Sequence, residues 1–268
     1  MFSHFTLGSN DLKRSERFYD AVMASLCQTL IAGDPNDSYL MFAPADQRYP
    51  HLFVCRPFDG LPATWSNGFH IAFNAPDKET VDQFHTAAMA AGGYDEGAPG
   101  IRPDYDQDYY GAYVRDPDGN KLQAVCYTAG RRAGSTGDVV SHITIGHADL
   151  ERERAFYSAI LTALGIAELP EEGDDESTAF GLTGFDLPVL YLQPAFDGRP
   201  ATWGNGTHTA FAAPSRAAVN RFHAAGLAHG GVCDGAPGLR PQYSQHYYAA
   251  YLRDAVGNKL QAVCRNPE

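Results

Sequence analysis

Gly119-Asn120-Lys121-Leu122-Gln123-Ala124-Val125-Cys126 returns letter for letter at 257–264, and that return decides how the chain is organised. Sliding the sequence along itself by 138 residues aligns its two halves without a gap, with about 58 of 130 paired positions identical. Ser3-His4-x-Thr6-x-Gly8 matches Ser141-His142-x-Thr144-x-Gly146, Phe58-Asp59-Gly60 matches Phe196-Asp197-Gly198, and Ala63-Thr64-Trp65 matches Ala201-Thr202-Trp203. The chain is a tandem duplication, with domains expected at 1–130 and 139–268. The small, polar segment 131–138 reads as their linker.

A weaker period of 66 lies inside each half. His4 aligns with His70, Phe18 with Phe84, His142 with His208 and Phe156 with Phe222. Four related units follow, in two pairs. Each opens with a short strand-like segment carrying a His. A helical pattern comes next, with Asp77 as a candidate N-cap in the second unit and Gly92-Gly93 and Gly230-Gly231 at C-cap positions. Further strands are expected at 38–42, 51–55, 109–115 and 121–126, whereas 96–108, rich in Gly, Pro and Tyr, reads mainly as loop. The class is therefore α+β, in units best described as βαβββ.

Composition narrows the function. The 268 residues carry 32 acidic and 20 basic side chains, a net charge of −12, the wrong sign for neutralising phosphates. Nucleic acid and anionic membranes are not expected partners. No apolar run is long enough to span a bilayer, and Met1-Phe2-Ser3-His4-Phe5 lacks the pattern of a secretory signal, so a cytoplasmic location is expected. Five scattered cysteines form no C-x-x-C pair and fit neither a disulfide framework nor a thiolate zinc site.

If the two units of a half pack around a pseudo-dyad, His4 faces His70 and His142 faces His208. Imidazoles on neighbouring strands are a natural start to a metal site, because strands hold ligands rigidly and imidazole suits Zn, Ni and Fe. Packing is the competing explanation for a strand histidine, and recurrence in all four units weighs against it.

The opening histidines of βαβββ units, with the turn Arg115-Asp116-Pro117-Asp118-Gly119-Asn120 leading into a last strand, resemble the vicinal oxygen chelate superfamily of glyoxalases, bleomycin-resistance proteins and extradiol dioxygenases. Gly97 to Pro103 with Tyr109-Tyr110, repeated as Gly235 to Pro241 with Tyr247-Tyr248, is similar to a bacterial glyoxalase-like subgroup. The resemblance covers nearly the whole chain and implies two tandem domains, each a pair of βαβββ units forming a curved mixed β-sheet cup with flanking helices. It also implies one divalent metal per domain (Zn, Ni, Mn or Fe), held by His4, His70 and Gln123 in one and by His142, His208 and Gln261 in the other. The last of these positions is usually Glu in the family. Gln123 and Gln261 keep an acceptor oxygen but bring no negative charge and cannot act as a ligand base, so strict lactoylglutathione lyase activity is disfavoured. The fourth-strand ligand position falls near Phe53 and Tyr191, which supply no acid either.

Trp65, Tyr113, Trp203 and Tyr251 are candidate substrate-binding residues, with core packing as the competing role. Arg102 and Arg240 would hold a substrate anion or tie down their loop. The expected function is metal-assisted lyase, isomerase or oxygenase chemistry on a small molecule with adjacent oxygens. The alternative is metal-free sequestration of the bleomycin-resistance type. Because one chain supplies both domains, a monomer with intrachain pairing or a homodimer is expected.

Overall fold

A computed structural model describes residues 1–127, 139–182 and 189–267; the expected linker at 131–138 lies outside them. The first unit runs β1 (Phe2–Gly8), α1 (Leu12–Ser25), β2 (Gln28–Gly33), β3 (Tyr39–Pro44), β4 (His51–Cys55). The second is β5 (His70–Asn74), α2 (Lys78–Ala90), β6 (Tyr94–Ile101), β7 (Tyr109–Arg115), β8 (Lys121–Tyr127). The third is β9 (Val140–Gly146), α3 (Leu150–Thr162), β10 (Ile166–Glu168), β11 (Thr178–Leu182), β12 (Leu190–Gln193), and the fourth β13 (His208–Ala212), α4 (Arg216–Ala228), β14 (Val232–Leu239), β15 (Tyr248–Arg253), β16 (Lys259–Cys264). All four units are βαβββ, and the class is α+β as expected.

The units pair into two mixed sheets of eight strands, ordered β14-β15-β16-β13-β1-β4-β3-β2 and β10-β11-β12-β9-β5-β8-β7-β6. Each sheet therefore joins one unit from either half of the sequence. β1 runs antiparallel to β13, and β5 antiparallel to β9. This corrects the expectation that His4 faces His70 and His142 faces His208: His4 shares a sheet with His208, and His70 with His142.

The crossing has visible physical causes. Gly8 and Gly206 touch backbone to backbone, so that a Cβ on Gly206 would stand 2.5 Å from Gly8 Cα, and Gly68 meets Gly146 in the same way at 2.6 Å. Gly206 and Gly68 also hold φ of +93° and +92°, conformations that a side chain would strain. The loops that follow Phe58-Asp59-Gly60 and Phe196-Asp197-Gly198 then bond reciprocally. Asn67 Nδ2 donates to Asp197 Oδ1 at 2.9 Å, and Asn205 Nδ2 to Asp59 Oδ1 at 3.1 Å.

One face of each sheet packs on the helices through residues such as Phe5, Leu7, Phe18, Phe73, Phe84, Phe156, Phe211 and Phe222, all within one apolar core. Asp11, Asp77, Asp149 and Ser215 cap the four helices by accepting backbone N–H bonds. Among the described residues no helix is long and apolar enough to cross a membrane. One local expectation changes: 96–101, part of the stretch 96–108 read mainly as loop, belongs to the edge strand β6, whose register shifts on either side of Gly97. An edge position with bulges tolerates the Gly and Pro that would disqualify an inner strand.

Candidate functional site

The face of each sheet turned away from the helices is the cup. Period-two alternation puts His4 and Thr6 of β1 on that face, with His208 and Ala210 of β13. The register sets Thr6 opposite His208 and His4 opposite Ala210. Gln261 lies beside Ala210 on β16 and opposite Tyr251 on β15. Phe53 of β4 pairs with Thr6.

In this first cup, His4 Nε2 stands 3.2 Å from His208 Nε2, with the rings perpendicular. Ser3 Oγ contacts His4 Nδ1 at 2.9 Å and accepts a 2.7 Å bond from Arg265 Nη1. The far nitrogen of His4 is thus engaged, which orients the ring and leaves Nε2 facing the cup. Gln261 is fully buried and its Nε2 donates to Tyr247 OH at 2.9 Å and Tyr251 OH at 3.0 Å. Its Oε1 has no hydrogen-bond partner, although the side chain is near enough to His208 to favour that ring's proton slightly.

Desolvation holds these imidazoles neutral. Burial pulls His208 down to about 3, helped by Lys259, and holds His4 well below the ordinary imidazole range, helped by His208 and Arg265. Neutral imidazole is the form that ligates a metal. Burial, and then the neighbouring tyrosines, push the Tyr251 hydroxyl well above its ordinary range, so it remains a proton donor.

The second cup is a near copy with a closed hydrogen-bond network. His142 and His70 lie with ring centroids 5.8 Å apart, and Ser141 Oγ contacts His142 Nδ1 at 3.0 Å. Here His70 Nε2 meets Gln123 Oε1 at 3.2 Å, and Gln123 Nε2 donates to Tyr109 OH at 2.5 Å. Tyr113 and Tyr191 close the ring of aromatics, edge-on to His70 and His142. Burial takes His142 down to about 4.

The expected ligand residues are thus brought together in a different partition: His4, His208 and Gln261 in one cup, His142, His70 and Gln123 in the other. Tyr251 and Tyr113 join them. The tryptophans pack on the last turn of their own half, Trp65 under the Arg115 guanidinium at 4.6 Å and against Gly119, and Trp203 under Arg253 at 5.1 Å and against Gly257. Arg102 and Arg240 bond the carbonyls of Ala98 and Ala236 in their own loops. Sequence reasoning missed Ser3, Ser141 and Arg265. The repeated Ser-His pair was a usable signal for the serines, whereas Arg265 aligns with Tyr127, so the two copies differ there and the repeat does not mark it.

Among the described residues no three His, Cys, Asp or Glu side chains gather where they could hold a metal. Two nitrogens on one tetrahedral ion, at roughly 2.05 Å each, lie about 3.3 Å apart, close to the observed His4–His208 spacing. The first cup thus holds two neutral imidazole nitrogens at that spacing, with the unpartnered, neutral Gln261 oxygen on the same face of the sheet and no carboxylate.

The first half matches the family model described as Glyoxalase/Bleomycin resistance protein/Dioxygenase superfamily, over residues 1–124. No curated protein matches the chain. Among solved structures, glyoxalase I from Zea mays is 20% identical with a TM-score of 0.69, over 98% of this chain and 92% of that one. A putative dioxygenase from Bacillus subtilis is 15% identical with a TM-score of 0.60, over 99% and 85%. A glyoxalase/bleomycin resistance protein from Albidiferax ferrireducens is 39% identical over 47% of this chain and 97% of its own, with a TM-score of 0.40. Since the second half aligns with the matched one without a gap and is identical to it at about 58 of 130 positions, the chain belongs to the glyoxalase/bleomycin-resistance/dioxygenase superfamily.

Proposed function

We propose that this protein is a glyoxalase-like small-molecule enzyme whose first cup uses a weakly held divalent ion on a substrate with adjacent oxygens. The observation that carries the reading is the His4–His208 pair at 3.2 Å beside the unpartnered, fully buried Gln261 oxygen. A buried acceptor without a partner is costly, and a cation in reach of all three atoms removes that cost. When bound, such an ion supplies Lewis-acid polarisation of substrate oxygens, the chemistry shared by lyase, isomerase and oxygenase members.

The chain's own residues orient and donate. Gln261 gives its two N–H bonds to Tyr247 and Tyr251, which leaves the Tyr247 hydroxyl hydrogen free to reach a substrate oxygen. Ser3 and Arg265 fix the His4 ring. Gln261 offers no base where the family usually has Glu, so lactoylglutathione lyase chemistry is not proposed.

The closed His70–Gln123–Tyr109 network favours a second reading for the other cup, metal-free binding. There the glutamine oxygen already has its partner, and the lining is Tyr109, Tyr113 and Tyr191. The protein's small-molecule partners, its monomeric or homodimeric state and a cytoplasmic location belong to this same proposal.

Thermal unfolding of tag-free protein with Zn, Ni, Mn or Fe(II) tests the reading, since an ion that binds only the folded state raises the transition temperature. A rise with at least one of them is expected. No rise with any removes the metal from the account.

A further inference from the structure

The two cups differ most in charge. Arg265 follows directly on β16, on the face that carries Gln261 and Val263, and its guanidinium lies over two rings, Tyr49 at 4.7 Å and Tyr247 at 5.0 Å. Its Nη1 bonds Ser3 Oγ. No carboxylate among the described residues pairs with it, although Arg14, Arg48, Arg115, Arg154 and Arg253 all have one. A guanidinium with no carboxylate partner among the described residues, in a protein of net charge −12 and positioned by two ring contacts and one hydroxyl, is prepared for an anion.

A second basic group stands beside it. His51 pairs in register with His4 and stacks on Tyr49 with centroids 4.4 Å apart, its Nε2 donating to the Gln47 carbonyl. At the matching positions of the other half the sequence has Tyr127 for Arg265 and Val189 for His51. Tyr127 packs edge-on against Tyr109 at 5.3 Å, so the second cup is aromatic where the first is basic.

We propose that the first cup selects small organic monocarboxylates, with Arg265 as the carboxylate anchor and the apolar body of the ligand resting on Phe53, Tyr247 and Tyr251. A planar guanidinium matches a carboxylate through two parallel N–H bonds, and the Nη1 bond to Ser3 still leaves other donors on the fork. The proposal rests on reading that cup as a small-molecule site, and it does not depend on a metal.

Ligand-observed NMR titrations of the full chain in EDTA, with benzoate and with its uncharged analogue benzamide, test it. Benzoate should bind at least tenfold more tightly than benzamide. Arg265→Gln should remove that preference, and Arg265→Lys, which keeps the charge but not the fork, should retain part of it. Equal binding of the two probes by the wild type overturns the proposal, as does a folded Arg265→Gln or Arg265→Lys protein with the full wild-type preference or, for Lys, none. Metal-induced stabilisation without carboxylate preference defeats only this inference, while the reverse result defeats only the metal reading.

Discussion

His4 and His208 bring their Nε2 atoms within 3.2 Å although 204 residues separate them in the chain. The partner of each opening histidine is the one a half-chain model of the fold does not supply. Neither half can complete a cup from its own two units in this arrangement, so site formation and the docking of the halves are one event.

The glycine contacts at the crossing give the first expectation. A methyl group on Gly8 would lie 2.3 Å from the Asn205 carbonyl oxygen and 3.2 Å from Gly206 Cα, and backbone cannot swing aside as a flexible side chain can. Gly8→Ala should lose at least about 2 kcal/mol of stability in urea unfolding, in line with overpacked cores. A loss under about 0.5 kcal/mol, the range of neutral surface changes, would mean that the loops do not meet so closely.

The reciprocal loop bonds should be unequal in strength. Asn67 is buried and donates to Asp197 and to the Pro200 carbonyl, whereas Asn205 makes the matching bonds to Asp59 and Pro62 from a more exposed position. Water can replace the second set more readily than the first. Asn67→Ala should cost about 1–3 kcal/mol and Asn205→Ala clearly less. Equal losses in parallel denaturation curves would refute that ordering.

Glu153 carries a pH signature. It stands where the first half has Ser15, almost fully buried, with Oε2 unpartnered. Burial first, and then Asp254, push its carboxyl up from 4.5 to about 7. A carboxyl raised in the folded state binds more protons there than in the unfolded chain, so its effect on stability becomes unfavourable as pH rises from 4.5 through 7. Glu153→Gln should therefore be more stable than wild type at pH 8, with the advantage shrinking toward pH 4.5. Thermal melts of both proteins across that window check it, and an advantage that grows on acidification contradicts it.

Restoring the missing charge should strengthen the proposed ion site. Gln261→Glu sets a carboxylate beside two neutral imidazoles, the two-His-one-carboxylate donor set of non-haem iron sites, with Tyr247 and Tyr251 at hand to bond the new oxygens. Its affinity for Fe(II) or Mn(II) should rise at least tenfold over wild type in calorimetric titration. Unchanged affinity would show that Gln261 does not face the ion.

Much of this architecture is written in local sequence. The repeats at offsets of 138 and 66, the cap at Asp77 and the glycines after each second helix all report interactions within one unit, and the strands at 51–55 and 109–115 stand as expected. The partnership of the units is different in kind. Because they are near copies, pairing β1 with β5 or with β13 buries equivalent faces and sets a His near a His in both cases. What separates the two is the course of the connecting loops, through Gly8 with Gly206 and Asn67 with Asp197, and no periodicity records that. The chemical character of the first cup was hidden for a related reason: Arg265 and His51 break the repeat, and attention to repeated positions passes over them.

Calorimetric titration of tag-free protein with Zn or Ni, wild type beside His4→Ala, His208→Ala and His70→Ala, tests the central claim most directly. The crossed pairing with an ion site in the first cup predicts one saturable equivalent in wild type, lost in His4→Ala and equally in His208→Ala, and retained in His70→Ala. Loss in His4→Ala and His70→Ala with retention in His208→Ala, or no saturable binding in the wild type, would contradict it.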